Sequence, residues 1–388
     1  MTLSRTQRGG FASWWWTVDR VALITMLALI AIGLMLAFAA SPAATGGPMS
    51  AGDFRYAAKQ ITFAVIAAGI LAVTSILPIR TIKLVAAIVF SLAVIGSALV
   101  LLTGNEVLGA KRWIDLGWLT LQPSEFLKPS FAILAATILA DPQPMRIRKE
   151  FITLCLVALP ICFLLLQPDV GQTGLLLALW AALLFFAGLR LYWMGALAGA
   201  GAGLFGFAYT FFPHVRHRVD QYFAQMKDPG QAGYQAGLAL KAFEHGGFAG
   251  VGPGAGTIKY RIPDAHSDFI FAVAGEEFGL VLCGVIALLF CVLTVRLLLR
   301  ASRARDPFTQ LAGAGLAIVI GLQAFINMGV AVSLLPAKGM TLPFISYGGS
   351  SLFAVALTMG FALAVTRQRP QLEMRDTRMT MPAGARLA

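Results

Sequence analysis

Asp169 lies between two apolar segments, in the run of residues 166–174 (LQPDVGQTG). A helix beginning here would open at Pro168, whose fixed φ suits the first turn, so Asp169 is expected at a helix N-terminus. The helix N-terminus favours the ionised carboxylate, whereas desolvation at the edge of a membrane raises the carboxyl pKa. Asp169 is therefore either a helix-capping residue or a general base, and two opposing effects act on its pKa.

A cationic and aromatic patch precedes this carboxylate in the chain. Lys111, Arg112 and Trp113 are consecutive, and such a combination is typical of an interface that binds an anionic lipid head group. Glu125 and Lys128 follow, three residues apart, so they share one face of a helix and can pair. This pair is either a surface ion pair or part of a charged cavity, and the scarcity of charge in the chain favours the cavity.

Lys338 stands, like Lys128, at the edge of an apolar segment. An ionisable side chain inside a bilayer costs about 2.5–3.5 kcal/mol on insertion scales and is a functional candidate for that reason. We therefore predict that both lysines act at a functional site.

A long loop at residues 213–267 joins two apolar segments and is rich in glycine. Clustered glycines let backbone N–H groups approach phosphate oxygens, although this loop matches neither the nucleotide P-loop nor the dinucleotide fingerprint. The alternative is a flexible connection. Glu276 and Glu277 follow inside the next apolar segment, where a carboxylate needs a partner.

The elements that must position these residues are apolar segments. Of the 388 residues, 58% are hydrophobic and only 12% are charged, with a mean hydropathy of +0.78, whereas soluble domains carry roughly 25% charged residues. An apolar segment of about 20 residues crosses a bilayer as a helix. The sequence predicts one all-α integral membrane domain with ten transmembrane helices, at residues 19–40, 57–77, 81–103, 125–140, 151–167, 170–188, 191–212, 268–298, 308–335 and 347–366.

The distribution of Arg and Lys predicts the orientation, because these residues are retained on the cytoplasmic side. An even number of helices places both termini on one side, and the turns that share this side are short and basic. We predict a cytoplasmic tail at residues 1–18, a membrane domain at residues 19–367 and a disordered cytoplasmic tail at residues 368–388. The loop at residues 213–267 is then periplasmic and lies between helices 7 and 8.

Five short stretches, taken in this order across ten predicted helices, resemble the SEDS family (shape, elongation, division, sporulation). The resemblance covers residues 19–367, with small departures at Asp264 and Ser267, where the family more often has Glu and Thr. The stretches are residues 111–114 (KRWI), 122–125 (QPSE), 167–169 (QPD), 265–271 (AHSDFIF) and 345–351 (ISYGGSS).

The resemblance implies a peptidoglycan glycosyltransferase of the bacterial inner membrane that polymerises lipid II at the outer face. It implies a class B penicillin-binding transpeptidase (FtsI-like) and other divisome membrane proteins as partners, and no nucleic acid. No cofactor is required by it, and a divalent cation (Mg or Mn) at the diphosphate stays open. It implies that Asp169 is catalytic and that the substrate-binding residues are Lys111, Arg112, Trp113, Glu125, Lys128, Lys338, His266 and Asp268.

Residues 263–266 and 338–343 look more like the division type (FtsW-like) than the elongation type (RodA-like), which implies a role at the septum. The expected reaction is an inverting glycosyl transfer in which Asp169 is the general base for the acceptor hydroxyl. Lys338, Lys128 and Arg112 would stabilise the departing diphosphate. The alternatives are an elongation-type polymerase, a flippase that moves lipid II across the membrane, and a scaffold that only recruits the transpeptidase.

Overall fold

The computed structural model describes residues 10–45, 54–107, 110–143, 146–211, 213, 216, 220, 234–336 and 339–367. Most of these residues are helical, and a small sheet lies between two of the helices. In chain order the elements are α1 Gly10–Thr17, α2 Arg20–Thr45, α3 Arg55–Ile76, α4 Ile79–Thr103, β1 Asn105–Val107, β2 Ala110–Asp115, β3 Thr120–Leu121, α5 Pro123–Leu139, α6 Lys149–Leu166, α7 Val170–Phe186, α8 Leu191–Phe211, α9 Tyr234–Gly246, a 3-10 helix Ile258–Arg261, α10 Ile270–Ser302, α11 Pro307–Ala331 and α12 Gly349–Val365.

Helix α12 forms the centre of the bundle. It is apolar on every side and buried along its whole length, as a helix without a polar face must be. It packs against α3 and α11, and at Gly360 a Cβ atom would overlap the hydroxyl of Thr74 on α3. Helix α8 is the opposite case, because none of its described side chains is buried.

Within the described residues, seven helices are long and apolar enough to cross a membrane: α2, α3, α4, α6, α8, α10 and α11. Helices α7 and α12 are apolar but shorter. Each of the ten predicted segments overlaps one helix. The prediction of a mostly helical, multi-pass membrane protein is confirmed.

The prediction of an all-α chain was wrong between α4 and α5. There, three antiparallel strands form a sheet in the order β1-β2-β3, and β2 pairs Ile114 with Leu121 and Asp115 with Thr120 of β3. The segment is too short and too polar for another span. Its backbone groups pair with one another because, at the edge of the apolar bundle, unpaired groups are costly.

Two other predicted loop regions also contain helices. Helix α9 and the 3-10 helix occupy part of the predicted loop at residues 213–267. Helix α1 lies in the predicted N-terminal tail, where Trp14 Nε1 donates a hydrogen bond to Ser75 Oγ at 3.0 Å. Residues 1–9 and the predicted tail at residues 368–388 lie outside the described residues.

Helix α10 is interrupted at Gly279, which has a φ of +74°. The backbone groups released by this break bind the glycine-rich segment that precedes the helix. The Val251 N–H donates to Glu276 O at 3.0 Å, and the Leu280 N–H donates to Gly247 O at 3.1 Å. The segment is thereby fixed to the broken helix.

Candidate active site

Strand β2 brings Arg112 to the N-terminus of α7. Arg112 Nη2 donates to Pro168 O at 2.9 Å, and Arg112 Nε lies 3.8 Å from Asp169 Oδ2. The Asp169 side chain is only 3% exposed, whereas that of Arg112 is 19% exposed. Arg112 Nε is buried and has no hydrogen-bond partner among the described residues. Its interaction with the Asp169 carboxylate is therefore an electrostatic attraction without a hydrogen bond.

Asp169 lies at the N-terminus of α7, as predicted, but it is the N-cap, because the helix begins at Val170 and not at Pro168. Its Oδ1 accepts from the Gln172 N–H at 3.3 Å, and its backbone oxygen accepts from Thr173 Oγ1 at 2.8 Å. Burial raises the pKa of Asp169 above its usual value, although Arg112 and the Gln172 N–H lower it. Of the two opposing effects predicted from the sequence, desolvation is therefore the larger.

Glu125 and Lys128 form a buried ion pair. Lys128 Nζ lies 2.8 Å from Glu125 Oε2, and each side chain is 3% exposed, which excludes the surface pair. Lys128 Nζ also donates to Gln323 Oε1 on α11 at 2.9 Å, and Gln172 Nε2 on α7 donates to Glu125 Oε1. The pair thus connects α5, α7 and α11, and the buried charges are satisfied by hydrogen bonds.

Asp268 lies near this cluster, at the end of the loop that leads into α10. Its side chain is half-buried. The pKa of Asp268 is raised to about 7, mainly by burial and next by the nearby Asp264 carboxylate. Arg112 lowers this pKa, whereas Asp169 and Glu125 add smaller increases. These charges influence one another because they surround the same region.

The Arg112 guanidinium and the Asp268 carboxylate both lie close to Gly339. A Cβ atom at Gly339 would lie 3.5 Å from Asp268 Oδ2 and 3.7 Å from Arg112 Nη1. Asn327 Nδ2 fixes the two loops to each other, since it donates to Asp268 O at 2.9 Å and to Met340 O at 2.6 Å. Asp268, Arg112 and Asp169 therefore surround a single polar region.

His266 belongs to an aromatic cluster beside this region. Its ring lies 4.9 Å from that of Tyr56 and 5.5 Å from that of Tyr347, between centroids. The Tyr347 N–H donates to His266 O at 2.9 Å. Burial lowers the pKa of His266, so its imidazole is neutral at pH 7.

The glycine-rich loop uses its amides to bind two buried carboxylates. The N–H groups of Thr257 and Ile258 each donate to Glu276 Oε1 at 2.7 Å, and the Gly254 N–H donates to Glu277 Oε2 at 3.0 Å. Lys259 Nζ pairs with Glu277 Oε1 and donates to Ala39 O at 2.7 Å. The prediction that Glu276 and Glu277 need partners is confirmed, and these amides are not free to cradle a phosphate.

The structure separates the residues of the predicted cationic patch. Side chains alternate between the two faces of a strand, so Lys111 and Trp113 lie on the face of β2 opposite Arg112. Both are half-buried. Lys338 lies outside the described residues, so its predicted role stays a prediction.

Sequence reasoning missed the amide side chains that join the charged groups, those of Gln172, Gln323 and Asn327. Gln323 Nε2 donates to Thr341 O at 3.1 Å and so ties the Glu125–Lys128 pair to the last loop. All three amides lie in apolar helices. Polar residues in such helices commonly hydrogen-bond across a helix interface, and this rule is the signal that could have found them.

No group of three or more His, Cys, Asp or Glu side chains among the described residues is arranged to hold a metal ion. The described cation that faces the polar region is Arg112. Its fork of donors matches the geometry of phosphate oxygens.

Comparisons with known proteins agree over nearly the whole chain. The family model FTSW_RODA_SPOVE, described as a cell cycle protein, matches residues 19–371. A curated relative from Caulobacter vibrioides, named "Probable peptidoglycan glycosyltransferase FtsW", is 39% identical over 369 residues, covering 95% of this chain and 94% of the relative. A relative of the same name from Halorhodospira halophila is 35% identical, covering 92% of each chain.

Two solved structures share the fold. A chain from work described as "Structural coordination of polymerization and crosslinking by a peptidoglycan synthase complex" has a TM-score of 0.76 and 27% identity, covering 91% of this chain and 98% of that one. The rod shape determining protein RodA of Thermus thermophilus has a TM-score of 0.65 and 26% identity, covering 91% of this chain and 97% of that one.

Proposed function

Because the chain belongs to the FtsW/RodA/SpoVE family of cell cycle proteins, we propose that it is a division-type peptidoglycan glycosyltransferase. Its substrate is lipid II, a disaccharide-peptide carried on undecaprenyl diphosphate, which it polymerises into glycan strands. The names of its relatives from Caulobacter vibrioides and Halorhodospira halophila support this activity and this type.

The observation that carries the proposal is the placement of the Asp268 carboxylate and the Arg112 guanidinium beside Gly339, with Asp169 Oδ2 at 3.8 Å from Arg112 Nε. Glycosyl transfer from a diphosphate needs a base for the acceptor hydroxyl and a cation for the leaving group. The Asp268 carboxylate and the Arg112 guanidinium both lie within 4 Å of the position that a Cβ atom at Gly339 would occupy, so both requirements are met in one region. No general acid is needed, because a diphosphate leaves without being protonated.

The reaction is a single displacement. The 4-hydroxyl of the acceptor GlcNAc attacks the anomeric carbon of the donor MurNAc, and a carboxylate takes the hydroxyl proton. The new C–O bond forms as the bond to undecaprenyl diphosphate breaks, and the configuration at the anomeric carbon is inverted. Arg112 stabilises the negative charge that develops on the diphosphate.

Asp169 is the base predicted from the sequence, but the geometry supports Asp268 better. Asp169 is almost fully buried, accepts from the Gln172 N–H and faces Arg112. Asp268 is half-buried and has a pKa of about 7, the value that suits a base at neutral pH. In this arrangement Asp268 removes the proton and Asp169 orients Arg112.

We place the site on the periplasmic side of a ten-helix domain. The ten helices α2–α8 and α10–α12 correspond to the ten predicted spans, and α5, α7 and α12 are short but lie in the buried interior. The strands and the loops before α7, α10 and α12 meet at one end of the bundle. With both termini cytoplasmic, this end faces outward, where the cell wall is made. The site of action is the septum.

A class B transpeptidase of the FtsI type is the proposed partner, together with other divisome membrane proteins. The related structure, whose description joins polymerization with crosslinking in one synthase complex, supports a partner that crosslinks the strands.

The test is a polymerisation assay with the purified chain and its transpeptidase partner in detergent. The protein is supplied with lipid II, and glycan strands are separated by length on a gel. We expect strands longer than the disaccharide. Their absence with a folded complex would refute the proposed activity.

A flippase is the alternative that the buried Glu125–Lys128 pair could support, since buried charges also occur in transporters. Flippase activity needs a sealed membrane, whereas polymerisation in detergent does not. Transport of lipid II in sealed vesicles without any strand formation would favour the flippase.

A further inference from the structure

A cavity of about 540 Å³ opens at the end of the bundle opposite the candidate active site. It lies where the C-terminal ends of α5 and α7 meet the N-terminal ends of α6 and α8. Its charged lining consists of three cations and one carboxylate: Arg148, Lys149, Arg190 and Glu150. The site therefore has an excess of positive charge that a bound anion would neutralise.

Of the three cations, Arg148 and Lys149 have partners in the chain, and Arg190 is available to bind a ligand. Arg148 Nε lies 3.5 Å from Glu150 Oε2, but both side chains are exposed to solvent, at 69% and 38%, so the pair is weak. Lys149 Nζ donates to Asp141 O. The Arg190 side chain is exposed and forms no hydrogen bond or ion pair with the described part of the chain.

The rest of the lining indicates a lipid rather than a free anion. Tyr192 and Trp193 are exposed at 59% and 43%, and such side chains are typical of the level of the lipid head groups. Leu139, Leu184 and Leu189 form an apolar wall behind the cations. A ligand with a phosphate and apolar chains would satisfy both parts of the cavity.

Helix α8 leaves room for the chains of such a ligand. It begins at the cavity, and none of its described side chains is buried by the bundle. We propose that the cavity binds an anionic phospholipid, with its phosphate held by Arg148 and Arg190 and its chains lying between α8 and the wall of α5 and α7. Basic pockets between transmembrane helices on the cytoplasmic side recognise such head groups.

The test is native mass spectrometry of the full-length protein released from detergent with added phosphatidylglycerol or phosphatidylcholine of the same chain length. Wild type is expected to retain phosphatidylglycerol in preference to phosphatidylcholine. The double variant Arg148→Gln/Arg190→Gln is expected to weaken retention of phosphatidylglycerol by roughly fivefold for each arginine removed. Thermal unfolding of each protein shows whether it is folded.

The matched control is Arg303→Gln/Arg305→Gln, which removes two exposed arginines from the same end of the bundle, outside the cavity. It should retain phosphatidylglycerol like wild type. Equal loss in the two double variants would show a general charge effect and overturn the proposal, as would equal retention of the two lipids by wild type. Displacement of the lipid by millimolar inorganic phosphate would also overturn it, because a phosphate site would then not need the chains.

Discussion

Burial acts on both aspartates of the site, but with different chemical consequences. Asp169 keeps a hydrogen bond from the Gln172 N–H and an arginine nearby, so its carboxylate is already engaged. Burial, together with the nearby Asp264, Asp169 and Glu125 carboxylates, raises the pKa of Asp268 to about 7. The sequence predicted the two opposing effects at Asp169, since both are local. It could not predict the pKa of Asp268, because the burial of this side chain and its proximity to Asp169 and Glu125 depend on the fold.

The pH dependence of turnover tests the role of Asp268. A base must be ionised, so activity should be full above the pKa of Asp268, which is about 7, and should fall as the pH drops through that value. We expect kcat/KM to be about tenfold lower at pH 6 than at pH 8. His266 does not produce this fall, since burial lowers the pKa of its imidazole. A flat profile between pH 6 and pH 8 would argue against Asp268 as the base.

At the scale of elements, strand β2 brings Arg112 to the site, and the break in α10 fixes the glycine-rich segment. The strand was not predicted, because the hydropathy of the segment gives no sign of sheet pairing. The break was not predicted either, although the glycine-rich loop that binds it was recognised. Hydropathy identifies helices by their apolar length alone. A break inside a helix depends on another segment that hydrogen-bonds the released backbone groups, and hydropathy does not identify that segment.

Substitution of Gly279 tests the importance of the break. Its φ of +74° is in a region that only glycine adopts readily, and a Cβ atom would overlap Phe248 O and Gly250 N. We expect Gly279→Ala to destabilise the protein by at least about 1–3 kcal/mol, the cost of such backbone strain. Thermal unfolding in detergent measures the effect, and limited proteolysis shows release of the loop.

Gly284→Ala is the matched control in the same helix. A Cβ atom at Gly284 meets nothing within 4 Å, and alanine favours a helix interior relative to glycine. This variant should unfold at the wild-type temperature or slightly above it. If Gly279→Ala behaved in the same way, the break would not be what fixes the loop.

At the scale of the whole molecule, the charges of the candidate site and the ion pairs of Asp19 lie at opposite ends of the bundle. Arg112, Asp169 and Asp268 meet at one end. At the other end Asp19 Oδ2 lies 2.9 Å from Arg296 Nε and 2.7 Å from Arg300 Nε. The positive-inside rule predicted this separation from the sequence, because it depends only on which turns carry arginine and lysine. The pairing of Asp19 with two arginines of α10 needed the fold.

Labelling with a membrane-impermeant maleimide tests the proposed orientation. The four native cysteines are replaced by alanine, and single cysteines are introduced as Leu116→Cys or Arg305→Cys, both at exposed positions. In spheroplasts, which lack the outer membrane barrier, Leu116→Cys should be labelled at once and Arg305→Cys only after the membrane is permeabilised. The reverse pattern would place the candidate active site in the cytoplasm.

In the proposed mechanism, Asp268 removes the acceptor proton while Asp169 orients Arg112. The most direct measurement is the rate of strand formation from lipid II by the detergent-purified complex, compared among Asp268→Asn, Asp169→Asn and Asp115→Asn. Asp115 is the control, because its carboxylate is exposed and accepts only from the Gly117 N–H among the described residues. We predict a loss of about 100-fold or more for Asp268→Asn, a smaller loss for Asp169→Asn and the wild-type rate for Asp115→Asn. Wild-type turnover in Asp268→Asn, with activity abolished only in Asp169→Asn, would show that Asp169 and not Asp268 is the base.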